Sequence, residues 1–110
     1  MRRARVYVPN KSGHDFTQAG KFGDLIYITE GPINKFALGT FYKACMSAMS
    51  GAEAQDYLLI TSLNSICCIA AGMLSSRFSK LNILLYRRDK YVLREIDFML
   101  SEVSDGYKSA

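Results

Sequence analysis

One stretch of the sequence, residues 56–86 (DYLLITSLNSICCIAAGMLSSRFSKLNILLY), most strongly limits the folds that this chain can adopt. Two continuous apolar runs, residues 57–61 and 81–86, flank an apolar segment of helical length, residues 66–78. Apolar runs without alternation are typical of strands buried on both faces, as in a parallel sheet covered by helices. The stretch therefore predicts a right-handed β-α-β crossover and an α/β fold.

The residues between the first apolar run and the helix are polar and suit a helix start. Ser62 and Asn64 are candidate N-caps, because each side chain can accept a hydrogen bond from a first-turn amide. The helix is apolar on most of its circumference, which is typical of a helix buried in a core or packed against another chain. Cys67 and Cys68 are interpreted as small core residues, because an apolar helix suppresses thiolate formation.

The segments before this unit extend the same pattern. A first strand is predicted over residues 5–8 and is expected to end at Pro9, which lacks the N–H group that a central strand donates. A short helix over residues 16–22 and a second strand over residues 24–29 follow. A longer helix with apolar residues at helical spacing is predicted over residues 35–49.

The C-terminal part completes a single domain. Asn34 is the candidate N-cap of the preceding helix. Residues 81–86 and 91–100 are separated by a polar turn, which indicates an antiparallel hairpin at one edge of the sheet. Residues 101–110 are polar and are expected to fray. With 110 residues, 49% of them hydrophobic, the chain supports one core, so we predict one three-layer, Rossmann-like α/β domain with a mostly parallel sheet.

Charge and cysteine content exclude few functions. Lys and Arg outnumber Asp and Glu by 14 to 10, which permits an anionic partner, and a nucleic acid is permitted but not favoured. The three cysteines form neither a paired extracellular framework nor a Cys-x-x-Cys zinc pattern, so we expect a cytoplasmic protein without a metal or other cofactor. The uncharged residues 57–76 contain a helix shorter than the roughly 20 residues that span hydrocarbon, so no membrane segment is predicted.

Polar residues follow each of the first four predicted strands. If these strands are parallel, their carboxyl ends share one rim of the sheet, where open α/β sheets hold their ligands. The candidate ligand-binding residues at this rim are, in chain order, Asn10, Ser12, His14, Asp15, Thr29, Glu30, Ser62, Asn64, Ser65, Arg87 and Arg88.

The chemistry of these residues suits a nucleotide or a similar anionic small molecule. The amides and hydroxyls at the start of the helix that follows Ser62 would face the ligand, and Arg87 or Arg88 would add a fork of donors. Neither a Gly-x-Gly-x-x-Gly nor a Walker-type motif is present. An alternative interpretation therefore treats the same residues as ordinary caps and turns.

His14 is the only histidine, so acid–base chemistry in this chain would depend on it. With Ser12 or Ser62 as nucleophile and Glu30 as a second carboxylate, it would make a small hydrolase. Asp15 would either hold a tautomer of His14 or cap the next helix. No Gly-x-Ser-x-Gly pattern supports catalysis, so no catalytic residue is assigned.

Four segments, VYVPNKSGHDF, FGDLIYITEG, DYLLITSLNSICCIA and LNILLY, resemble small proteins found in bacteriophages and related mobile genomes. The resemblance covers most of residues 6–96 and implies expression in a bacterial cytoplasm, but it implies no active site. The strand, polar turn and helix pattern is also similar to nucleotide-sensing Rossmann-like domains at the level of fold.

The leading functional prediction is a non-enzymatic binder of a nucleotide-like ligand, such as a phage factor that sequesters or senses a host molecule. A structural or interaction protein that self-assembles is the first alternative, and the His14 hydrolase is the second. We also expect a homodimer or larger assembly, because 110 residues cover both faces of such a sheet poorly.

Overall fold

The computed structural model describes residues 2–11 and 13–99, so the predictions for Ser12 and for the tail at residues 101–110 lie outside the described residues. The described residues form five strands, two α-helices and one 3-10 helix. The strands are β1 (Arg5–Lys11), β2 (Asp24–Glu30), β3 (Tyr57–Leu59), β4 (Lys80–Arg87) and β5 (Lys90–Asp97). The helices are the 3-10 helix (Thr17–Lys21), α1 (Leu38–Ala48) and α2 (Asn64–Phe78).

The strands form one mixed sheet in the order β2-β1-β3-β4-β5. β1 pairs in parallel with β2 and β3, β3 pairs in parallel with β4, and β4 pairs antiparallel with β5. The predicted α/β fold, with a mostly parallel sheet and a C-terminal antiparallel hairpin, is confirmed. The order also shows that the chain moves to one side of β1 first and to the other side afterwards.

Two apolar cores lie on opposite faces of the sheet, because neighbouring residues of a strand point to opposite sides. Tyr7 and Leu58 contribute to the core beneath α1 and α2. Val6, Val8 and Leu59 contribute to the core beneath the 3-10 helix. One face is therefore covered by two α-helices, and the other face carries only a short 3-10 helix within the described residues.

The prediction that β1 ends at Pro9 is wrong, since the strand continues to Lys11. β3 pairs only with Val6 and Tyr7 of β1, so no neighbouring strand requires an N–H group from Pro9 on that side. On the other side the ladder with β2 resumes at Asn10, which pairs with Thr29. β1 therefore carries Asn10 as its penultimate residue rather than in a loop.

The predicted N-caps are also wrong for both α-helices. α1 begins at Leu38 after Ala37, and Asn34 instead accepts a hydrogen bond from the Phe36 amide at 3.0 Å. α2 begins at Asn64 after Leu63, and no side chain caps it. In each case the loop before the helix forms its own local hydrogen bonds, which compete with a cap.

The β3–α2 connection is held by contacts that the sequence pattern did not indicate. The Thr61 hydroxyl accepts a hydrogen bond from the Leu63 amide at 3.2 Å, and the Thr61 amide lies 3.5 Å from the Cys67 sulfur. Cys67 is buried as predicted, whereas Cys68 is exposed, so the interpretation of Cys68 as a core residue is wrong.

Among residues 2–11 and 13–99, none of the helices combines the length and the apolar character that spanning a membrane requires.

A buried carboxylate stabilises the end of the sheet at which β1 and β3 begin. Asp56 immediately precedes β3, and its side chain is 0% exposed. Arg2 donates to both carboxylate oxygens at 3.0 and 2.6 Å, and the amides of Arg5 and Glu53 donate at 2.9 and 2.8 Å. Burial disfavours the charge, but the donors, Arg2 first among them, outweigh burial and hold the pKa of Asp56 below its ordinary value.

Candidate functional site

A cleft lies at the carboxyl ends of β1 and β3, the two neighbouring strands at which the strand order changes direction. The connection after β1 runs along one face of the sheet to β2, and the connection after β3 runs along the other face through α2. A crevice is expected at such a position in an open α/β sheet. This edge cleft has a volume of about 550 Å³ and is lined by Asn10, His14, Gly31, Pro32, Ile33, Ile60, Thr61, Ser62, Leu63 and Tyr86.

A second cavity adjoins the first at the start of both α-helices. This helix cleft has a volume of about 340 Å³ and is lined by Ile33, Lys35, Phe36, Leu38, Phe41, Ser62, Leu63, Asn64, Ser65 and Ile66. Ile33, Ser62 and Leu63 line both cavities, so the two clefts meet along one shared wall. Together they run across the rim of the sheet.

Asn10 shapes the wall of the edge cleft and uses both ends of its amide within the protein. Its nitrogen donates to the Gly31 carbonyl oxygen at 3.2 Å, and its oxygen lies 2.9 Å from the Thr29 hydroxyl. Thr29 is also 2.7 Å from the carbonyl oxygen of Pro9. Asn10 is buried, and Gly31 adopts a positive φ of 76° where the chain leaves β2. These contacts position the cleft wall.

His14 is exposed and lines the edge cleft, with its ring centroid 6.1 Å from that of Phe16. Asp15 does not orient it, because the Asp15 carboxylate accepts hydrogen bonds from the Thr17 amide at 2.9 Å and the Thr17 hydroxyl at 2.7 Å. The hydrogen bond from the Thr17 amide is the main cause that lowers the pKa of Asp15. Phe16 occupies the N-cap position of the short helix and no side chain caps it, so the structure supports neither predicted role of Asp15.

The first turn of α2 supplies donors to the helix cleft. No side chain caps this turn, and Asn64, Ser65 and Ile66 all line the cavity. The start of a helix carries unsatisfied amides and a partial positive charge, both of which favour an anion. Lys35 adds the one formal positive charge among the residues that line either cleft.

The structure brings some of the predicted site residues together and separates others. Those that line one or both clefts are Asn10, His14, Ser62, Asn64 and Ser65. Those that line neither cleft are Asp15, Thr29, Glu30, Arg87 and Arg88.

Arg87 and Arg88 lie at the end of the hairpin, and the side chain of Arg87 leaves β4 on the face opposite to that of Tyr86, which lines the edge cleft. Leu84 pairs with Leu59, the last residue of β3, so Arg87 lies three residues beyond that point. At roughly 3.3 Å per residue, Arg87 extends about 10 Å past the end of β3. Both arginines are exposed, and Glu30 is exposed opposite Lys11 in the ladder between β1 and β2.

Sequence reasoning missed three polar side chains that line the clefts, namely Lys35, Thr61 and Tyr86. Lys35 follows β2 by only five residues, so the rim argument applied to Glu30 extends to it as well. The sequence pattern places Tyr86 in an apolar strand, whereas the residue is 57% exposed because β4 extends past the end of β3. No signal in the sequence distinguishes Tyr86 from the buried residues before it.

A metal centre is not supported in the described part of the chain. Residues 2–11 and 13–99 contain no group of three or more His, Cys, Asp or Glu side chains that could hold a metal ion. Burial raises the pKa of the Cys45 thiol to about 11, so this thiol is protonated at neutral pH. The residues that line the two clefts offer hydroxyls, amides, aromatic rings and one ammonium group.

Comparison with known proteins identifies a family but adds no relative of assigned activity. Comparisons with curated proteins and with solved structures gave no significant match. The family model described as Phage Pam3 gp32-like protein matches residues 4–100, which is most of the chain and includes every described element. The predicted resemblance to small bacteriophage proteins is confirmed, and the chain belongs to the Phage Pam3 gp32-like protein family.

Proposed function

We propose that this chain is a Rossmann-like, non-enzymatic protein that binds a nucleotide or a similar phosphorylated small ligand in the joined edge and helix clefts. The observation that carries the proposal is the position of these clefts at the carboxyl ends of β1 and β3, where the strand order reverses. Volumes of about 550 and 340 Å³ lie within the range of small-ligand pockets.

The electrostatics of the helix cleft favour an anionic group. Lys35 forms no ion pair within the residues described, and the uncapped first turn of α2 presents its positive end to the same cavity. Arg87, Arg88 and Lys90 outnumber the one acidic residue of the hairpin turn, Asp89, so the turn carries net positive charge without lining the clefts. This charge would attract an anion from a distance at low ionic strength.

In a phage protein, such a site would sequester or sense a small molecule in the cytoplasm of the bacterial host. Binding without chemistry is the simpler proposal, because the carboxylate next to His14 is already engaged by Thr17. The hydrolase alternative would need His14 to be oriented by another group.

Titration calorimetry against a panel of nucleoside mono-, di- and triphosphates tests the proposal. We expect at least one member to bind, and Lys35→Glu to weaken that binding roughly tenfold or more, because it places a negative charge in the cleft. Lys43→Glu is the matched control, since Lys43 is exposed on α1 and lines neither cleft. No binding by any member, with an unchanged thermal midpoint, would overturn the proposal.

A second candidate function, self-assembly, is favoured by the outer surface of α1. Leu38, Tyr42 and Met46 recur at every fourth position and are 54%, 51% and 44% exposed. Neither α1 nor α2 contains an acidic residue, whereas solvent-facing helices usually carry charges of both signs. We propose that this stripe packs against a second copy of the chain and so forms the expected homodimer.

Light scattering after size exclusion tests the assembly. The wild-type chain is expected to elute as a dimer, and Met46→Lys is expected to shift it to the monomer, because the substitution introduces a charge into an apolar contact. Thr40→Lys is the control, since Thr40 is exposed on α1 but lies off the stripe. A wild-type chain that is monomeric at the highest soluble concentration contradicts this second function and leaves ligand binding unaffected.

A further inference from the structure

Tyr86 presents an exposed aromatic ring to the edge cleft while packing against a buried neighbour. Its ring centroid lies 5.1 Å from that of Tyr91 at an interplanar angle of 62°, and Tyr91 is buried. The two residues are also register partners in the β4–β5 ladder. An edge-to-face contact of this kind restricts the Tyr86 ring while leaving much of it exposed.

His14 is arranged in a similar way elsewhere in the same cleft. The ring is exposed, lines the edge cleft, and rests against Phe16, which is buried. Two planar rings, each supported by a buried aromatic residue, therefore line one cavity. Flat rings of this type are suitable surfaces for stacking a planar heteroaromatic group.

The two joined clefts differ in chemistry. The residues that line the edge cleft include no Lys, Arg, Asp or Glu, and they include the two aromatic rings. The helix cleft contains Lys35 together with the hydroxyls of Ser62 and Ser65. A planar uncharged group suits the first cavity, and an anionic group suits the second.

We propose that the ligand is a nucleoside phosphate whose base lies against Tyr86 and His14 in the edge cleft and whose phosphate lies at Lys35 in the helix cleft. This inference rests on the proposed function and names the ligand class of the same site. Because Ser62 borders both clefts, the sugar between base and phosphate would pass beside it. A sugar phosphate would fill one cleft only, and so would an uncharged nucleoside.

The experiment compares calorimetric affinities for a nucleoside monophosphate, the matching nucleoside, ribose 5-phosphate and inorganic phosphate. We expect the nucleotide to bind roughly tenfold or more tightly than ribose 5-phosphate, because only the nucleotide gains stacking on the rings. Tyr86→Leu, which retains an apolar contact with Tyr91, is expected to reduce nucleotide affinity to that of ribose 5-phosphate. Tyr86→Phe is expected to preserve nucleotide affinity, and Lys35→Ala is expected to weaken binding of the nucleotide and of ribose 5-phosphate equally.

The outcomes separate this inference from the function on which it rests. Equal affinity for the nucleotide and for ribose 5-phosphate, or an unchanged nucleotide affinity in Tyr86→Leu, overturns the base-binding role and leaves the phosphorylated-ligand function standing. No binding of any probe overturns both. A 5′-phosphorylated tetranucleotide that binds more tightly than the free nucleotide would identify a strand end as the source of the same nucleoside phosphate group.

Discussion

Asp56→Ala is expected to lower the free energy of unfolding by about 3–4 kcal/mol, the largest effect we predict for a single substitution in this chain. The Asp56 side chain is fully buried and joins Arg2 of the N-terminal segment to the start of β3. Its removal also leaves the amides of Arg5 and Glu53 without their acceptor. Chemical denaturation followed by circular dichroism measures the change.

A second Arg–Asp pair provides the matched control. Arg3 donates to Asp24 at 2.6 Å, but the two side chains are 54% and 59% exposed. Exposed pairs of this kind contribute between about 0 and 1 kcal/mol, so Asp24→Ala should change stability by no more than that. Equal losses in Asp56→Ala and Asp24→Ala would show that burial of the carboxylate is not what makes the first pair important.

Acid is expected to reduce the difference between the wild type and Asp56→Ala. Folding lowers the pKa of Asp56, because Arg2 and the two amides together outweigh the effect of burial, so the unfolded chain binds the proton at a higher pH than the folded chain. The contribution of the carboxylate is therefore complete above the unfolded pKa of about 4 and is lost as the pH falls through the folded pKa. A difference that stays constant down to about pH 2 would contradict this linkage.

The crossover from β3 through α2 to β4 could be predicted because its signals are local and agree with one another. Two mainly apolar runs, the second of which includes Asn82, on either side of a mainly apolar helical segment have few other arrangements in a domain of this size. The hairpin was predictable for the same reason, since a polar turn separates two β-rich runs. Both predictions depend on residue type along the chain and on no distant partner.

The errors arise where a residue's role depends on what lies beside it in space. Asn34 is a good N-cap by residue type, but its side chain binds the Phe36 amide before α1 begins. Nothing near Asp56 in the sequence indicates its role, because its partner Arg2 lies 54 positions away. A single sequence contains no signal that joins such residues, so the contact between Arg2 and Asp56 could not be predicted.

The candidate site shows the same division. That polar residues gather at the carboxyl ends of parallel strands follows from topology, and Asn10, His14 and Ser62 do line one cleft. How far each strand extends past its neighbour does not follow from topology. β4 continues to Arg87 while β3 stops at Leu59, which leaves Tyr86 at the edge cleft and Arg87 on the opposite face of the strand.

Gly23→Ala is expected to cost roughly 2–3 kcal/mol of folding stability, because backbone atoms leave no space for a β-carbon at this position. A β-carbon there would collide with the carbonyl oxygen of Ala4 and lie 2.8 Å from its carbonyl carbon. The same carbonyl oxygen accepts a hydrogen bond from the Asp24 amide at 2.9 Å, where β2 begins to pair with β1. Relief of the collision would therefore separate the two strands at the start of their ladder.

Gly20→Ala isolates this steric cause, because a β-carbon at Gly20 would meet no atom within 4 Å. Neither glycine adopts a positive φ, so both substitutions restrict the unfolded chain in the same way and differ only in the space available in the folded state. Thermal unfolding should show Gly20→Ala within about 1 kcal/mol of the wild type and Gly23→Ala well below it. If Gly23→Ala unfolds with the wild-type midpoint, the close contact that we describe between Ala4 and Gly23, the residues just before β1 and β2, does not exist.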